Sequence, residues 1–127
     1  MSILQKWRNK FHWASIGIAK GIRGQSSFVV HVPMACLVTG FAYGLGCSGS
    51  EWAILLLCIG CVLSAELMNS SIELLAKGLC REKNTDVGDA LDVASGAVFV
   101  MSIASALVGL IILGRKLLAL VLDVYAG

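Results

Sequence analysis

Ala65-Glu66-Leu67-Met68-Asn69-Ser70-Ser71-Ile72-Glu73 places two carboxylates and an amide inside the most hydrophobic part of the chain. Read as a helix, Asn69 follows Glu66 by three residues and Glu73 follows Asn69 by four, so all three share one face. The two carboxylates then stand about two turns, roughly 10 Å, apart. A charged side chain near mid-bilayer costs about 2.5–3.5 kcal/mol on insertion scales, so such groups face a bundle interior or a wet cavity and mark function. The rest of the chain reads as the scaffold for this polar stripe.

Composition sets the class. The 127 residues suit one domain, and 57% hydrophobic against 14% charged residues, with a mean hydropathy of +0.84, describe an integral membrane protein. A soluble chain of this size needs polar residues to cover its surface, which excludes that class here. The formal net charge of +2 is too small to suggest a nucleic-acid partner.

On the N-terminal side of the stripe, Glu51-Trp52 opens an apolar helix that runs to Ala65. Counting from Trp52, Glu66 lies about 21 Å and Glu73 about 32 Å along it, so the stripe climbs from the core to the far interface. Gly46-Cys47-Ser48-Gly49-Ser50 reads as a short turn from an antiparallel first span over Ser26 to Leu45. Pro33 falls in the second turn of that span, and Gly40 and Gly44 are spaced for close helix packing. Before it, Leu4, Trp7, Phe11, Ala14 and Ile18 recur at helical steps with Lys6 and Lys10 elsewhere around the turn. Residues 1–24 are therefore expected to form a basic amphipathic helix in the interface plane, with 25–127 as the transmembrane domain. The apolar run after these cations is too long for a cleavable signal.

On the C-terminal side, Lys77 to about Asp89 reads as a polar loop, and Asp89 or Asp92 as the start of a third helix, apolar from Val93 to Leu113. Arg115-Lys116 and a short amphipathic tail close the chain. The fold expected is all-α: three transmembrane helices plus an N-terminal interfacial helix. Lysines and arginines concentrate in the N-terminal segment and the second loop and are missing from the first loop, which puts the N-terminus, that loop and the stripe on the cytoplasmic side.

Two carboxylates and an amide beside a basic loop suit a divalent metal and proton transfer. Hard oxygens bind Mg²⁺ together with nucleotide phosphates, and a drier carboxylate can take a proton from a hydroxyl group. Glu66 is the deeper group and Glu73 the shallower. Two other readings stay open at this level: carboxylates that hold helices together by hydrogen bonds between subunits, and a proton-coupled transporter. The outer half of the second helix, Trp52 to Leu63, offers a transporter no polar path. No Walker-type loop or soluble-kinase motif is present. Cys36, Cys47, Cys58, Cys61 and Cys80 read as small packing residues, as do His12 and His31, although His31 lies near the interface, where it could help with metal or phosphate.

The Ala65–Glu73 run, followed after a polar loop by Ala90-Leu91-Asp92-Val93-Ala94-Ser95-Gly96-Ala97-Val98, resembles the prokaryotic diacylglycerol kinase and undecaprenol kinase family over roughly residues 10–113. Phe28 and His31 resemble the undecaprenol kinase branch. The resemblance implies a homotrimer in the bacterial inner membrane that transfers the γ-phosphoryl group of Mg·ATP to a lipid hydroxyl, diacylglycerol or undecaprenol, at sites shared between subunits. It implies Glu66 as the base at that hydroxyl, Asn69 as its orienting partner, Glu73 and Gln25 as Mg²⁺ ligands, and Asp92 with Ser95 at the nucleotide. Lys77, one turn after Glu73 on the same face, reads either as a cation for the nucleotide or as an ordinary snorkelling lysine. The family usually carries Glu where Gln25 stands, Lys where Leu91 stands and commonly Asp where Lys77 stands. These departures motivate an alternative, a non-catalytic relative that binds lipid or nucleotide.

Overall fold

The computed structural model describes residues 2–24 and 27–126. They form four helices: α1 (Ile3–Gly24), α2 (Phe28–Gly44), α3 (Gly49–Leu79) and α4 (Thr85–Ala126). α3 and α4 are each long and apolar enough to cross a membrane, and α1 and α2, bent at 107° to each other, reach that length and hydropathy only as a pair. At 31 and 42 residues, α3 and α4 measure about 46 and 63 Å, beyond the ~30 Å of a hydrocarbon core, so their ends stand in the headgroup layers or past them.

The ends follow from local chemistry. Ser48 caps α3 in a reciprocal box, its hydroxyl accepting from the Glu51 N–H while the Glu51 carboxylate accepts from the Ser48 N–H at 2.7 Å. The turn before it, 45–48, includes Gly46 at φ 62°, the left-handed region that a side chain disfavours. α4 begins at Thr85, earlier than the expected Asp89 or Asp92, because the Asn84 side chain accepts from the N–H groups of Asp86 and Val87. The link between α3 and α4 is accordingly only 80–84. Past Leu113, α4 continues unbroken through Arg115 and Lys116 to Ala126.

Packing is inverted relative to a water-soluble protein. Phe28, Ala42, Leu55, Ala94 and Val98 are the buried apolar residues, whereas large side chains such as Leu57, Phe99, Leu107 and Leu110 are exposed. Lipid tails or further copies must cover them. The buried polar residues are Glu66, Asn69 and Ser70. α4 lies along α3, joined at mid-height by the Ser105 hydroxyl, which donates to the Cys58 carbonyl at 3.4 Å. α1 reaches α3 at Gly21, a buried glycine whose missing Cβ leaves room for the Leu67 side chain. Further out, Trp7, Phe11 and Trp13 are exposed, and Lys10 sits 5.2 Å over the Trp7 ring, an arrangement suited to the bilayer interface.

Candidate functional site

The stripe of α3 folds inward where α2 and α1 cross it. Glu66 is 1% exposed and Asn69 6%. The Ser70 hydroxyl donates to the Glu66 backbone carbonyl at 2.8 Å, an i to i−4 bond that satisfies the hydroxyl within its own helix. The Asn69 side-chain amide donates to Glu73 Oε1 at 3.0 Å, and because a carboxylate only accepts, the Asn69 carbonyl oxygen must point the other way. Glu73 Oε2 lies 3.8 Å from Lys77 Nζ, one turn on, with Lys77 exposed and Glu73 at the edge of the bundle. The helical spacing thus translates into a graded site: Glu66 inside, Asn69 bridging, Glu73 and Lys77 at the mouth.

Two acceptors inside this site have no hydrogen-bond partner among the described residues, Glu66 Oε1 and Asn69 Oδ1. Leaving a buried acceptor unpaired costs about 1–3 kcal/mol, more for a charged group, so both atoms call for a donor that the described residues do not supply. Glu66 Oε2 faces His31 Nε2 of α2 at 3.8 Å. Sequence reading set His31 apart as a packing residue, since its partner is 35 positions away and a lone histidine carries no spacing signal.

Gln25, an expected metal ligand, lies outside the described residues. Among the described residues, no group of three or more His, Cys, Asp or Glu could hold a metal by itself. Glu73 is a hard oxygen donor held in place by Asn69 and Lys77. This fits Mg²⁺, which is commonly bound through one or two carboxylates plus substrate phosphates rather than by an all-protein cage. Asp92 and Ser95 are exposed on α4, and among the described residues no hydrogen bond or ion pair joins either to the stripe. The reason is the helical period: α4 buries Ala94 and Val98, and Asp92 lies about 160° around the helix from Ala94.

A buried carboxylate and an amide on α3, with Asp92 in the early turns of the neighbouring α4, make a pattern that can be compared with known proteins. The prokaryotic diacylglycerol kinase family matches residues 12–113. The chain belongs to this family. Members of it phosphorylate lipids, and all of the site residues named above fall within the matched stretch. Undecaprenol kinase of Bacillus subtilis (strain 168) is 34% identical over 116 residues, covering 90% of this chain and 93% of the relative. No solved structure matches the chain. As a diacylglycerol-kinase-family protein it is a lipid kinase by type, and its long apolar helices α3 and α4 make it a membrane protein.

Proposed function

We propose that the chain transfers the γ-phosphoryl group of Mg·ATP to the hydroxyl of a membrane lipid, and that a polyprenol of the undecaprenol type is the acceptor. The observation that carries this reading is Oε1 of buried Glu66, an acceptor inside an apolar bundle that has no partner among the described residues and that a lipid hydroxyl can satisfy. The choice of polyprenol draws on the name of the Bacillus subtilis relative.

In this reading Glu66 accepts the hydroxyl proton, and Asn69, through its bond to Glu73, holds the two carboxylates in one register. Glu73, with Gln25, would hold Mg²⁺, which when bound neutralises phosphate oxygens and orients the transferred group. Lys77 offers the nucleotide a flexible cation at the mouth. The outward Asp92 and Ser95 would serve the site of a neighbouring copy, which favours a homotrimer with shared sites. An apolar groove of about 540 Å³ on the back of α3, lined by Leu57, Gly60, Ser64, Met68 and Met101, supports the same assembly, because its small residues let another helix approach closely. Positive residues in α1 and in 80–84 favour a cytoplasmic mouth in a bacterial inner membrane.

Purified chain in lipid bicelles with Mg·ATP and either undecaprenol or diacylglycerol tests the reading. Phosphate transfer to undecaprenol that is lost in Glu66→Gln supports it. Absence of transfer to either lipid from a folded oligomer leaves the non-catalytic relative, the reading that Leu91 before Asp92 favours because it offers phosphate no charge.

A further inference from the structure

Phosphoryl transfer to a hydroxyl releases one proton per turnover: the acceptor O–H bond breaks as its O–P bond forms. In the reading above that proton passes to Glu66, whose side chain is 2% exposed and has no direct way to water. Among the described residues, one titratable side chain stands at ion-pair distance from it. His31 Nε2 lies 3.8 Å from Glu66 Oε2, and the His31 side chain is 20% exposed, bridging the buried carboxylate and the outside of the bundle. The other charged groups at this end, Glu73 and Lys77, face each other at 3.8 Å. Asn69 and Ser70, which follow Glu66 on α3, do not titrate, and where α1 meets Leu67 of α3 at Gly21 its nearby cations Lys20 and Arg23 are exposed. α4 contributes buried Ala94 and Val98.

We propose that His31 is the proton outlet of Glu66. The inference rests on Glu66 being the base of a lipid kinase. The hydroxyl proton is taken up by the Glu66 carboxylate, and a half-turn of the carboxyl presents it to Nε2 of neutral His31. The imidazolium so formed loses its Nδ1 proton to water, and a ring flip restores the starting tautomer. Glu66 is then a carboxylate again and His31 is neutral, so the cycle closes with one proton delivered to solution. The 3.8 Å separation exceeds a hydrogen bond, and a side-chain rotation of about 1 Å closes it, as catalytic contacts do when substrate is bound. Imidazole suits the task because it gains and loses protons near neutral pH. His31 acts through Glu66 and does not itself touch the lipid.

The test uses the full chain in bicelles with undecaprenol and Mg·ATP, comparing His31→Ala, His31→Asn and Glu66→Gln. The expected result is a kcat about 10²-fold lower in both His31 variants with an unchanged lipid KM. Free imidazole should restore His31→Ala at least tenfold and leave Glu66→Gln inactive. Either His31 variant working at the unsubstituted rate, or a loss in both that imidazole does not relieve, overturns the proposal and returns His31 to packing. Melting temperature and oligomer size, read on each variant, identify one that has not folded, and the other then decides. Phosphate transfer that persists in Glu66→Gln overturns the base reading itself, whatever His31 does.

Discussion

Glu51 and Glu66 stand on the same helix, about 22 Å apart, and the chain surrounds them in opposite ways. Glu51 is part-exposed and paired: its Oε2 accepts from the Ser48 N–H and lies 3.2 Å from Lys116 Nζ, and Lys116 also donates to the Gly46 carbonyl at 3.1 Å. That cluster clasps the start of α3 to the C-terminal part of α4. Glu66 is buried, has one oxygen without a partner among the described residues and faces a histidine at more than hydrogen-bond distance. A carboxylate paired with a cap and a lysine at a helix start is a structural part, whereas a buried one whose second oxygen finds no donor among the described residues is placed to take up a further partner.

The comparison breaks or sharpens under substitution, beginning with the largest effect. Glu66→Gln should lower phosphate transfer by about 10²–10⁴-fold while the melting temperature holds or rises, since removing an underpaired buried charge relieves a desolvation cost. A drop in stability equal to that of a clasp variant would erase the distinction. Next, chelating Mg²⁺ should abolish transfer, and Glu73→Gln should raise the Mg²⁺ needed for half-maximal rate by about tenfold, read from a metal titration. At the clasp, Lys116→Met should lower the melting temperature and leave kcat within twofold, and Ser48→Ala should cost about 1 kcal/mol of stability through the lost cap. The smallest effect is expected for Gly21→Ala: an added Cβ meets the end of the Leu67 side chain, which can rotate away, and a Gly21→Ala/Leu67→Ala double variant should show no added clash.

Much of this was readable from residue order. The all-helical membrane fold follows from apolar runs of bilayer length, and the shared face of Glu66, Asn69 and Glu73, buried at the first two and part-exposed at the third, follows from three- and four-residue steps. The start of α4 was not. Thr85, Asp86 and Asp89 are polar, and polarity alone does not separate a loop from an exposed first turn; the Asn84 cap decides between them. His31 with Glu66, and Glu51 with Lys116, were hidden for another reason. Each pair joins residues 35 and 65 positions apart, so no local period encodes it and only the crossing of helices creates it.

The order of synthesis gives the His31 contact a second meaning. A ribosome delivers α2 to the membrane before α3, so when Glu66 leaves the insertion machinery its histidine neighbour is already waiting in the bilayer. The α4 contacts, Ser105 with Cys58 and Lys116 with Glu51, form only after the five-residue link 80–84 has been made. The most costly residue of the chain is thus accompanied from the moment it is inserted, and the clasp closes last, over a helix pair that has already passed its hardest step.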